Sequence, residues 1–94
     1  MNARELTLHI AVNLKRIARF AHEGASGRVD QFLQETDEYV RELANASKAK
    51  DFTDTFERFR ETFDSRKADP ARGVDWAEEM ATWGNILTHR AKRA

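Results

Sequence analysis

Apolar residues recur every three or four positions in four separate stretches of the chain, and this spacing limits the possible fold more than any other feature. Such a period places apolar side chains on one face of an α-helix, whereas a half-buried strand needs strict alternation. The third stretch has Phe52, Phe56, Phe59 and Phe63 at intervals of 4, 3 and 4 residues, with charged or hydroxyl-bearing residues between them. We predict that these four rings form buried core and not a ligand site.

The four stretches predict an all-α fold within one domain of residues 1–94. We expect helices over about residues 2–22, 28–46, 51–65 and 75–91. Short links between helices favour antiparallel neighbours, so the expected architecture is a small up-down-up-down four-helix bundle. The composition agrees with long helices and short loops, because the chain has one proline and four glycines.

Single residues at two helix starts and inside one helix predict local features of the fold, namely helix caps and a close helix contact. Asn2 is followed three residues later by Glu5, and Asp75 is followed by Glu78, so both positions predict a capping box. Gly84 lies inside the fourth helix, where glycine costs about 1 kcal/mol relative to alanine. We therefore expect a neighbouring helix to approach closely at Gly84.

Composition narrows the class of protein. Sixteen basic residues balance sixteen acidic ones, whereas nucleic-acid binders usually carry a basic excess. The chain has no cysteine, which excludes thiol catalysis, disulfides and thiolate metal sites. No segment approaches the roughly 18 apolar residues of a membrane span, and the first residues do not resemble a signal peptide. We expect a soluble, cytoplasmic protein with no membrane partner.

Residue patterns that support catalysis or metal binding are missing. The three histidines are His9, His22 and His89, and no glutamate precedes any of them by three residues, as a di-metal helical bundle would require. The serines occur at positions typical of turns and helix ends. We therefore predict no catalytic, cofactor-binding or metal-binding residues and no cofactor, and we expect a protein that is not an enzyme.

Clustered basic residues leave one alternative open. The chain could be a nucleic-acid-associated regulator if the clusters converge and neutralise several phosphates. The acidic outer faces of the second and third helices make nucleic acid the less favoured partner. The three clusters are Lys15, Arg16 and Arg19; Arg66, Lys67 and Arg72; and Arg90, Lys92 and Arg93.

The residues around His22 leave a second alternative open. AHEGAS is similar to the histidine motif of small four-helix phosphorelay domains, although no lysine follows His22 here. RIARFAH places Arg16 and His22 six residues apart, which resembles helical ribonucleases of the HEPN type, although apolar Ile17 follows Arg16. These resemblances imply a phosphorelay or RNase-like bundle centred on His22. Neither one identifies a family.

The first helix carries more apolar surface than one core requires. Its main stripe is Leu6, Ile10, Leu14 and Ile17, yet Leu8 and Val12 lie roughly opposite, next to Lys15 and Arg19. An apolar pair on a charged face indicates a second contact. We therefore predict a non-catalytic protein–protein interaction module that acts as an adaptor, regulator or inhibitor. Its expected partner is another protein or a second copy in a homodimer, and its candidate partner-binding residues are Leu8, Val12, Lys15 and Arg19.

Overall fold

The computed structural model describes all residues from Met1 to Ala94 and contains four α-helices and no strand. Helical residues make up 83% of the chain, so the predicted all-α class is confirmed. Each helix boundary lies within two residues of its predicted position. The helices are α1 (Ala3–His22), α2 (Ser26–Asn45), α3 (Lys50–Lys67) and α4 (Val74–Arg90), and a short 3₁₀ turn follows at Ala91–Arg93.

Consecutive helices run antiparallel. Phe20 of α1 stacks on Phe32 of α2 near the loop that joins the two helices, whereas His9 stacks on Tyr39 far from it. α1 packs against both α2 and α4. The result is the predicted four-helix bundle, with extents of 37 × 19 × 19 Å. We call the end with the α1–α2 and α3–α4 loops the loop end, and the end with both chain termini the terminal end.

Small residues allow α1 and α4 to approach each other closely. A Cβ atom placed on Gly84 would lie 3.0 Å from Lys15 Cγ and 3.2 Å from the carbonyl oxygen of Ala11. The expected close approach at Gly84 is therefore confirmed. Buried small residues line the α1 side of this contact: Ala3, Thr7, Ala11 and Ala18.

The four phenylalanines of α3 form core, as predicted. Each of Phe52, Phe56, Phe59 and Phe63 is only 1% exposed. The Phe59 ring lies 5.5 Å from the Phe63 ring and 5.5 Å from Trp83 of α4. These large rings fill the space between helices, and the α3 backbone consequently stands further from its neighbours than α1 does from α4.

One predicted capping box forms and the other does not. Asn2 Oδ1 accepts a hydrogen bond from the Glu5 amide at 2.8 Å, and Glu5 Oε1 accepts one from the Asn2 amide at 3.3 Å. The prediction for Asp75 is wrong, because α4 begins at Val74 with Gly73 in the capping position and no side-chain cap. Asp75 instead lies in the first turn, where its charge favours the positive end of the helix dipole.

None of the helices combines the length and apolar character that a membrane crossing requires.

Candidate functional site

The exposed side of α1 contains the predicted apolar pair. The core stripe of Leu6, Ile10, Leu14 and Ile17 is no more than 1% exposed. Leu8 is 38% exposed and Val12 is 47% exposed. Because α2 and α4 cover the two flanks of α1, the side bearing this pair faces solvent. The prediction that both residues lie outside the core is confirmed, whereas their contact with a partner stays a prediction. We call Leu8, Val12, Lys15 and Arg19 the outer face of α1.

Lys15 lies at the edge of the outer face that adjoins α4. Its Cγ atom is the nearest side-chain atom to the Cβ position of Gly84, so its aliphatic stem covers the glycine while the residue remains exposed. A lysine commonly packs its stem on a neighbour and keeps its ammonium in water. None of the six ion pairs in the bundle involves a residue of α1. The charge of Lys15 is therefore available to a partner.

Arginines and stacked phenylalanines form a cluster where the outer face reaches the loop end. The rings of Phe20 and Phe32 are 5.5 Å apart. The guanidinium carbons of Arg19 and Arg28 lie 5.0 and 5.4 Å from the Phe20 ring centre, and that of Arg16 lies 5.7 Å from the Phe32 ring centre. Cation–π contacts of this kind hold the arginines in place without neutralising them. The sequence did not indicate this cluster, because its members come from two helices.

The α2 side of the outer face is polar and ordered by two contacts. Buried Asn13 donates from Nδ2 to Glu35 Oε2 at 2.9 Å, and the rings of His9 and Tyr39 are 5.4 Å apart. These contacts fix which residues of the two antiparallel helices lie side by side.

Acidic residues of α2 lie further toward the terminal end. With His9 beside Tyr39, Glu38 lies at about the level of Ile10, and Glu42 lies at about the level of Leu6. Both glutamates are exposed, and neither forms an ion pair. Exposed Glu5 lies at nearly the same level on α1.

The α1–α2 side of the bundle therefore has opposite charges at its two ends. The basic region contains Arg16, Arg19 and Arg28, and the acidic region contains Glu5 and Glu42. The apolar pair lies between the two charged regions, with Glu38 beside it. Glu23 and Glu35 toward the loop end and Arg4 at the terminal end are the exceptions, and they do not reverse the sign of either end.

The three cations of the second basic cluster, Arg66, Lys67 and Arg72, form ion pairs with carboxylates of the same bundle. Arg66 pairs with Glu79, Lys67 with Asp37 at 2.7 Å, and Arg72 with Asp30. The hydrogen bond and negative charge of Glu79 raise the pKa of Arg66 above its ordinary value, so Arg66 stays charged. Trp76 Nε1 also donates to the Arg66 carbonyl oxygen at 3.0 Å. These contacts attach the α3–α4 loop to the rest of the bundle.

The three basic clusters do not come together. The last cluster lies at the terminal end, where α4 ends, and contains Arg90, Lys92 and Arg93. The first cluster lies toward the loop end, as the contacts of Arg16 and Arg19 show. With the middle cluster already paired to carboxylates, the bundle does not present one continuous basic surface.

The histidines lie apart from one another and from the arginine that the sequence paired with one of them. His22 is exposed at the last position of α1, while Arg16 extends toward Phe32 of α2. Residues six apart on a helix point about 120° away from each other. No three histidine, aspartate or glutamate side chains lie close enough together to hold a metal ion.

Comparison of the chain with protein-family models, curated proteins and solved structures found no match. On the outer face of α1, two exposed apolar side chains, Leu8 and Val12, lie beside charged side chains that form no ion pair.

Proposed function

We propose that this protein is a non-catalytic protein–protein interaction module that acts as an adaptor, regulator or inhibitor through the outer face of α1. One observation carries the proposal: Leu8 and Val12 are exposed on the same helix face as Lys15 and Arg19, which have no ion-pair partner. The core stripe of α1 is already buried, so this second apolar pair contributes little to the fold.

The physical gain from a partner has two parts. Covering apolar surface is worth about 25 cal/mol per Å² removed from water, and both side chains retain exposed area. Lys15 and Arg19 would attract an acidic partner surface, which mainly raises the association rate and selects the partner. This combination of an apolar centre with charged residues beside it is typical of protein interfaces.

A pull-down with a matched control tests the proposal. The double substitution Leu8→Glu and Val12→Lys changes the outer face, while Val74→Glu changes another exposed apolar residue, 59% exposed at the first position of α4. Mass spectrometry would identify host proteins retained by the wild type and by Val74→Glu but lost from the double variant. Binding of the identified protein would then be measured with both components purified. Equal binding by all three chains would contradict the proposal.

The nucleic-acid alternative has one observation in its favour, the unpaired cations of the first basic cluster. Against it, the middle cluster is paired to carboxylates and the last cluster lies at the other end of the bundle. Retention on heparin and on duplex DNA separates the two functions, because phosphate binding falls steeply with salt. Strong salt-dependent retention that Lys15→Glu and Arg19→Glu abolish would favour nucleic acid.

The phosphorelay or RNase-like alternative requires His22 to take part in a reaction. Loss of a measured phosphotransfer or ribonuclease activity in His22→Ala would support it. We propose a cytoplasmic location for the module, which agrees with the absence of cysteine.

A further inference from the structure

We infer that a second copy of this chain covers the outer face of α1, in a two-fold contact where α1 of one copy crosses α1 of the other antiparallel. This inference rests on the proposed function, since it names the partner of the same face. In the contact, Leu8 of each copy lies against Val12 of the other. Two-fold contacts of this kind are the commonest assemblies of identical chains.

The charges at the two ends of the α1–α2 side support a second copy as partner. The cations Arg16 and Arg19 lie toward the loop end, and the acidic Glu5 and Glu42 lie toward the terminal end. A two-fold axis across the middle of α1 places the basic region of each copy over the acidic region of the other. A parallel arrangement would instead place like charges together, which costs free energy. The surface is thus complementary to itself in one orientation.

The positions of the charges along α1 match an axis between Leu8 and Val12. Arg16, on the α2 edge of α1, lies six residues from this midpoint on one side, or about 9 Å at 1.5 Å per residue, and Glu5 lies five residues away on the other. The axis therefore brings each Arg16 close to the level of Glu5 in the second copy. It also brings Arg16 close to the level of Glu42 in the second copy. The same register that joins the apolar pairs also joins opposite charges.

Disulfide trapping tests this register directly. The chain has no cysteine, so Leu8→Cys and Val12→Cys each introduce a single thiol, and cysteine keeps the face apolar. The two variants, one carrying an added tag that changes its size, would be mixed in equal amounts and oxidised mildly. Ser65→Cys is the control, because it places an exposed thiol on α3.

We expect the mixed disulfide between the two variants to exceed its random share of one half. Identical residues would be offset along the axis by four residues, about 6 Å in addition to the separation of the helices, whereas a disulfide needs Cα atoms within about 7 Å. The Ser65→Cys chain should stay uncoupled under the same conditions. Preferential coupling of identical residues would show a parallel register and overturn the inference.

A charge-reversal experiment tests independently whether the charges of the α1–α2 side meet across the contact. Arg16→Glu with Arg19→Glu makes this side of one variant mainly acidic, and Glu38→Lys with Glu42→Lys makes this side of the other mainly basic. Each variant alone should be monomeric where the wild type is dimeric, as measured by sedimentation velocity. An equal mixture should dimerise, because both halves of the mixed contact are then attractive. A mixture that remains monomeric would contradict a contact that joins these charged regions.

Failure of the dimer can be told apart from failure of the interaction module. A wild-type chain that is monomeric at every concentration and forms no trapped dimer overturns the second copy as partner. If Leu8→Glu with Val12→Lys still abolishes binding of an identified host protein, the proposed interaction module remains supported although the dimer is not. If that binding is also unchanged, both the inference and the proposed function are wrong.

Discussion

Gly84 of α4 lies directly against Lys15 of α1, at a distance where a Cβ atom on the glycine would be 3.0 Å from Lys15 Cγ. This contact joins the packing of the bundle to its candidate surface. The absence of a side chain at Gly84 lets the two helices approach, and the stem of Lys15 covers the gap. The position of the Lys15 charge on the outer face therefore depends on a glycine in another helix.

Gly84→Ala should lower the free energy of unfolding by about 1 kcal/mol. Alanine gains up to about 1 kcal/mol of helix propensity, but overpacking against Lys15 and the Ala11 carbonyl costs about 1–3 kcal/mol. Urea unfolding followed by far-ultraviolet circular dichroism measures the difference. Gly27→Ala is the matched control, because nothing lies within 4 Å of a Cβ atom there, and it should stabilise the protein. Equal stabilisation by both substitutions would contradict the close approach of α1 and α4.

Phe59→Ala should destabilise the protein by about 3–5 kcal/mol, the usual cost of removing a buried aromatic side chain. The ring is 1% exposed and contacts both Phe63 and Trp83. The loss would be a large part of a typical total of about 5–15 kcal/mol. Arg60→Ala, at an exposed neighbouring position, should change the stability by no more than about 0.5 kcal/mol. A melting temperature within a degree or two of the wild type for Phe59→Ala would show that the α3 stripe is not core.

Asn2→Ala should cost more stability than Asp75→Ala. Asn2 caps α1 through a hydrogen bond to Glu5, and loss of such a cap costs about 0.5–2 kcal/mol. Asp75 makes no cap hydrogen bond, so its removal loses only a dipole interaction of about 0.3–1 kcal/mol. Thermal unfolding of the two variants side by side gives the comparison. The reverse order would mean that Asp75 caps α4 as its sequence pattern suggests.

Leu8→Glu with Val12→Lys should leave the monomer folded, because both side chains lie outside the buried stripe of α1. We expect an unchanged circular dichroism spectrum and, at a concentration where the wild type is monomeric, a free energy of unfolding within about 1 kcal/mol of it. Leu6→Glu is the comparison, since Leu6 is 1% exposed and a charge there should prevent folding. Unfolding of the double variant would place Leu8 and Val12 in the core.

Sequence periodicity was sufficient for the features that one helix determines alone. The Phe59 stripe, the exposed positions of Leu8 and Val12 and the cap at Asn2 all follow from spacing within a single segment. Gly84 could also be interpreted, because a glycine inside a helix requires a compensating contact. The Asp75 cap failed because α4 begins one residue earlier, with Gly73 extended before it, and sequence signals place helix ends less accurately than helix interiors.

The sequence could not predict features that depend on which residues of two neighbouring helices lie side by side. Arg72 and Asp30 are 42 residues apart, so their pairing depends on how the α3–α4 loop reaches α2. The arginines around Phe20 and Phe32 became visible as a cluster only once α1 and α2 were placed side by side. The separation of charge between the two ends has the same origin, since it needs the antiparallel pairing that His9 and Tyr39 mark.

Sedimentation velocity over a wide range of concentrations tests the central claim, that the outer face of α1 binds a second chain. The wild type and Val74→Glu should both shift from monomer to dimer as concentration rises, with a weaker shift at high salt because exposed charges are then screened. Leu8→Glu with Val12→Lys should remain monomeric throughout. A wild type that stays monomeric at every concentration, or a double variant that dimerises equally well, would contradict self-association through the outer face of α1.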